Sequence, residues 1–153
     1  MDNFLALDLG TKTGFCVFSP DQKVSASGTK NFSQAASSHI GRRFACFRDW
    51  LIAIIHKYNI RGVFYEQVYA HTGLQASHVY GGFLYHLAAV CDDYNIPIKG
   101  LGVCTIKKNM TAKGHATKKQ MIDEAFRRGF NPFDDNEADA IAIMLTAIQR
   151  KIL

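Results

Sequence analysis

Apolar residues crowd the stretch Phe4–Leu9, followed by the turn-forming Gly-Thr-Lys-Thr-Gly of residues 10–14. On a period of two, Phe4, Ala6 and Asp8 share one face and Leu5, Leu7 and Leu9 the other. A strand apolar on both faces belongs inside a sheet covered by helices. The same pattern predicts further strands over Phe15–Ser19, Lys23–Phe32, Arg61–Glu66 and Ile96–Leu101, with a turn at residues 19–22. Gln34–Ser38 reads as a small polar loop. Ser38 is placed to cap a helix over His39–Tyr58, with Ile40, Phe44, Phe47, Leu51, Ile54 and Ile55 on one stripe. A loop at Gln67–Gly73 precedes a helix over Leu74–Tyr94, apolar and rich in small residues, which suits packing on two sides. Thr105–Gly114 reads as a lysine-rich loop that could hold a short helical turn. Helices follow over Ala116–Arg128, ended by Gly129, and from Asp134-Asp-Asn136 to about Lys151. Without repeats or linkers, residues 1–153 read as one α/β domain, a five-stranded mixed sheet with helices on both faces.

Composition narrows the class. With 48% hydrophobic and 20% charged residues the chain resembles an ordinary globular protein. No apolar run approaches the ~20 residues of a membrane span, and Met1-Asp2-Asn3 lacks the basic region of a signal peptide. Cys16, Cys46, Cys91 and Cys104 form no Cys-x-x-Cys pair, so a reducing, cytoplasmic setting is expected. The net charge of +5 is unevenly spread. No acid lies between Asp93 and Asp123, where Lys99, Lys107, Lys108, Lys113, Lys118 and Lys119 stand. None lies between Asp21 and Asp49, where Lys23, Lys30, Arg42, Arg43 and Arg48 stand. Such segregation suits a nucleic-acid surface, to which Lys108, Lys113, Lys119, Arg42 and Arg43 are assigned; the alternative is a solvated basic face.

Several carboxylates interrupt apolar patterns. Asp8 and Glu66 each end a strand, and parallel pairing of those strands would set them side by side at their carboxyl ends, where α/β sheets place sites. Asp8 alone could merely cap the turn. Gly10 and Gly14 would let the chain turn tightly and leave space over it. Asp139 sits inside Ala-Asp-Ala-Ile-Ala-Ile, sharing a helix face with Asn136 at i, i+3 and with Asp135 at i, i+4. Glu137 reads as solvated. Oxygen donors without clustered His or Cys favour Mg²⁺, with Mn²⁺ able to substitute. Two such ions could serve phosphodiester hydrolysis, with a lysine neutralising the phosphate.

In order along the chain, Asp8-Leu-Gly-Thr-Lys-Thr-Gly14, Glu66-Gln-Val-Tyr69, Thr105-Ile-Lys-Lys108 with Thr111–Lys118, and Glu137-Ala-Asp-Ala-Ile-Ala142 resemble the motifs of the RuvC family of Holliday-junction resolvases. The resemblance spans nearly the whole chain. It implies an RNase H-like fold and metal-dependent cutting of branched DNA, chiefly four-way junctions, in recombination, repair or phage DNA processing. It further implies Asp8, Glu66 and Asp139 as metal ligands, and Lys107 and Lys118 at the scissile phosphate. Tyr69 would stack on an unpaired base, and the 74–94 helix would form a homodimer. The chain departs from the family at Asn136, where many relatives carry an acid or His, and at Ala112, where glycine is common. Asn136 is favoured as the fourth ligand by position, with Asp135 behind it. The small size suits a phage-encoded member.

Other readings exist. Asp-Leu-Gly-Thr also opens the phosphate loop of actin-like and sugar-kinase ATPases, folds that need two lobes and a longer chain. A nuclease of the same fold acting on other branched DNA or structured RNA is the runner-up. A catalytically dead branch-binding protein would not need all three acids.

Overall fold

A computed structural model describes residues 2–33 and 39–152. Its strands are β1 (Asn3–Asp8), β2 (Lys12–Phe18), β3 (Val24–Asn31), β4 (Ile60–Gln67) and β5 (Ile98–Gly102). Its helices are α1 (Arg42–Tyr58), α2 (Leu74–Asp93), α3 (Val103–Thr111), α4 (Lys118–Arg127) and α5 (Asp135–Gln149). The strands form one sheet in the order β3-β2-β1-β4-β5. The β1–β2–β3 meander is antiparallel, while β4 and β5 add in parallel beside β1. The expected mixed sheet with helices on both faces is therefore present.

The two-sided pattern of β1 decides the layering. Ala6, with Cys16, Phe18 and Phe64, faces Ile106 and Met110 of α3, Met121 of α4 and the apolar side of α5. Leu5, Leu7 and Leu9, with Val17 and Val63, face Phe47, Leu51 and Ile55 of α1 and Phe83, Leu87 and Val90 of α2. The α5 alanines Ala138, Ala140 and Ala142 are fully buried, so this helix lies close against the sheet.

Four expectations are corrected. Helix α1 starts at Arg42 rather than His39; Ile40 is 85% exposed and leaves the apolar stripe. The proposed cap Ser38 and the 34–38 loop lie outside the described residues. The lysine-rich stretch is helical: α3 extends to Thr111 because Ile106 and Met110, four apart, both enter the core. The third correction concerns Gly10 and Gly14, neither of which adopts a left-handed backbone for a turn. Gly14 instead lies in β2 opposite Asp8, and a Cβ there would sit 1.9 Å from the carbonyl oxygen of Asn136. Its absence of a side chain lets the start of α5 touch the sheet. Fourth, Glu137 is 8% exposed rather than solvated. Its carboxylate accepts from Ser27 Oγ at 2.6 Å and Phe133 N at 2.8 Å, pinning α5 to the edge strand β3.

Candidate functional site

Parallel pairing of β1 with β4 matches Leu7 to Tyr65, which brings Asp8 and Glu66 together at the carboxyl ends of two central strands. Asp139, in the second turn of α5, comes over them from the helix that covers this face. All three are half-buried. Burial, then the charges of Asp139 and Glu66, hold the Asp8 carboxyl well above its usual range. Burial, followed by Glu66 and Asp135, pushes Asp139 up to about 7. Burial also raises Glu66, against the pull of Lys107. Carboxylates that raise one another in this way form a site that a cation would relieve.

The lysines divide. Lys107 is near enough for its charge to act on both Glu66 and Asp139. Lys118 Nζ lies 2.9 Å from Asp135 Oδ2, an ion pair that lowers the acid and raises the amine. Asp135 is thus engaged with Lys118. The Asn136 backbone rests against Gly14, between Asp135 and Glu137 in the first turn of α5. Among the described residues, no three His, Cys, Asp or Glu side chains already enclose a metal position. The fit to a hard divalent ion lies in the donor chemistry: three converging oxygen-donor acids disfavoured in their ionised form without a cation.

The remaining predicted contacts are scattered. Tyr69, just beyond β4, is 82% exposed and lines an open groove of about 550 Å³ with His71, Tyr80 and Tyr85 of the loop and α2. Lys108 and Lys119 are exposed, and the Lys108 stem lies over Gly114. Lys113 shares a cleft with Asp123, Glu124 and Arg127, a wall of mixed charge. Arg43 donates to Thr11 Oγ1 at 3.0 Å in the turn after Asp8, while neighbouring Arg42 is exposed.

No protein-family model matches the chain. The fold superimposes on RuvC from Thermus thermophilus with a TM-score of 0.82 at 19% identity, covering 98% of this chain and 96% of that one. Against the same protein in complex with a Holliday junction substrate the TM-score is 0.86 at 18% identity, over 98% and 95%. The yeast mitochondrial Holliday junction resolvase Ydc2 matches at 0.65 and 16% identity, over 97% and 78%. A curated relative, the crossover junction endodeoxyribonuclease RuvC of Rickettsia akari (strain Hartford), is 29% identical over 114 residues, 72% of this chain and 73% of that protein. The chain thus shares the fold of the RuvC structures and resembles a curated RuvC in sequence.

Two supports of the site escape the sequence pattern. One is the Glu137 clamp, joined by Asp134, whose Oδ1 accepts from Thr29 Oγ1 at 2.6 Å and from Glu137 N at 2.9 Å. A signal existed: Glu137 precedes Ile141 and Met144 by four and seven positions, which is a core stripe on a helix. The other is Tyr80, whose hydroxyl bonds the backbone on both sides of Gln67. Nothing in the local sequence announces it.

Proposed function

We propose that this protein is a divalent-metal-dependent endonuclease that resolves four-way DNA junctions by hydrolysing one phosphodiester in each of two strands. The observation that carries this reading is the meeting of Asp8, Glu66 and Asp139, flanked by Lys107 and Lys118, on a RuvC-type fold. The three carboxylates would hold Mg²⁺, or Mn²⁺ in its place, with the amide oxygen of Asn136 as a further neutral donor. Such ions, when bound, activate a water and stabilise the leaving oxygen. Lys107 sets its charge where the phosphate must come, beside Glu66 and Asp139. Asp135 holds Lys118 at the rim of the same site, so we assign it to that lysine and Asn136 to the metal.

DNA would be held by Lys108, Lys113, Lys119, Arg42 and Arg43 through phosphates, and by Tyr69, whose exposed ring can stack on an unpaired base for about 1–3 kcal/mol. A homodimer through α2 would present two sites to two strands with matching symmetry. Leu74 and Tyr85 of that helix stand exposed, although Gly82 is spent inside the subunit, where a Cβ would meet the Phe44 ring at 2.4 Å. Sedimentation at micromolar concentration checks the dimer; a monomer with and without DNA would contradict it.

Strand-by-strand cleavage mapping on a mobile four-way junction in Mg²⁺, with duplex, flap and structured RNA as controls, tests the activity. Paired, symmetric cuts in the junction are expected. Preferential cutting of the flap or the RNA would point to the other substrate class.

A further inference from the structure

We propose that Tyr80 is a positioning residue for Glu66, a role that rests on reading Glu66 as a metal ligand. Glu66 stands next to the last residue of β4, still paired with β5 on one side but past the end of its pairing with β1 on the other. The pairing of β1 with β4 extends to Leu7 opposite Tyr65, and β1 ends at Asp8. Continuing that register would put Leu9 opposite Gln67, where its backbone would bond the Glu66 carbonyl and the Val68 N–H. The chain has already turned away at that point. The Tyr80 hydroxyl from α2 fills both places, donating to the Glu66 carbonyl at 2.8 Å and accepting from Val68 N at 3.2 Å.

One phenol oxygen thus replaces a strand residue at the point where β1 stops and the site begins. Glu66 on one side of this tether is the acid; Val68 on the other leads directly into Tyr69. The ring is itself set in place, with its centroid 4.8 Å from that of His71, whose Nε2 is buried without a hydrogen-bond partner. Tyr80 also sits on the helix whose outer face carries exposed Tyr85, so packing on α2 can reach Glu66 through a single bond. Without the hydroxyl, two part-buried backbone groups lose their partner and the end of β4 is held only on its β5 side, so the Glu66 carboxylate can shift with it.

The test is Tyr80→Phe in the full chain, which keeps the ring and removes only the oxygen. Calorimetric titration with MnCl₂, without DNA, should show affinity weakened on the order of 10-fold, as for other residues that orient ligands. Amide hydrogen exchange at Val68 should quicken while the β4 core stays protected. The single-turnover rate on a four-way junction should fall with junction affinity in EDTA unchanged. Wild-type Mn²⁺ affinity in the variant would overturn the proposal, and so would a rate loss that follows only junction affinity or melting temperature. Wild-type protein that binds Mn²⁺ but cuts no junction would refute the proposed substrate alone. Wild-type protein that binds no Mn²⁺ would overturn both.

Discussion

Asp139 carries the pH dependence of the metal-free site. Its carboxyl, held up to about 7 first by burial and then by Glu66, keeps a proton that the unfolded chain releases near pH 3.9. A raised folded-state value means that this stability is fully present below about pH 3.9 and is lost as pH rises through about 7. Asp139→Asn should therefore raise the melting temperature in chelator most above pH 7 and little near pH 4, while removing activity. An equal gain at both pH values would show that the acid is not held protonated. Ala112 invites a second test, because it ends α3 in the left-handed region at φ 61° and is exposed. Relief of ~1–2 kcal/mol of strain, less ~0.5–1 of added chain entropy, predicts that Ala112→Gly stabilises by roughly 0.5–1 kcal/mol in denaturant melts. No gain would mean that the left-handed cap costs nothing here. Asp8, Glu66 and Asp139 were legible because each interrupts an apolar pattern. Glu137 was not, since its partner Ser27 lies 110 residues away and an acid next to Asp139 reads as surface.

At the scale of elements, the approach of α5 to the sheet sets the site. Its first turn is held by Thr29 and Ser27 of β3 and by contact with Gly14 of β2. A methyl at position 14 meets the backbone of Asn136, which cannot swing aside as a side chain could. Gly14→Ala should destabilise the fold by about 1–3 kcal/mol or more and depress cleavage further than stability alone explains. Denaturant midpoints read beside cleavage rates check this, and a variant matching wild type in both would remove Gly14 from the account. The strands, α2, α4 and α5 were readable from period, capping and turn residues; Thr117 and Gln120 form the capping box of α4. Helix α3 was hidden because Gly102 supplies no capping side chain and the sequence Val-Cys-Thr-Ile offers weak helix formers. Its core contacts, invisible locally, make it helical. Gly14 was read as a turn glycine because the need for close approach comes from a residue 122 positions later in the chain, far beyond any local pattern.

For the whole molecule, the proposed function assigns two duties to different residues. Among the described residues no helix is long and apolar enough to cross a membrane. In that reading, exposed Lys108, Lys119 and Arg42 would supply affinity through released counterions. In the proposed function Asp8, Glu66 and Asp139, drawn from β1, β4 and α5, would supply the chemistry. The two apolar layers followed from the two-sided apolar pattern of β1, whereas the strand order and the meeting of three distant acids needed the structure and its register of β1 with β4. The proposed function assigns binding and cutting to different residues, so the two should come apart under substitution. The most direct measurement is a four-way junction assayed with wild type, Asp8→Asn and Glu66→Gln, for binding in EDTA and for cutting in Mg²⁺. The account predicts junction affinity close to wild type in both variants and no cutting by either. Robust cutting in Mg²⁺ by either variant would contradict it.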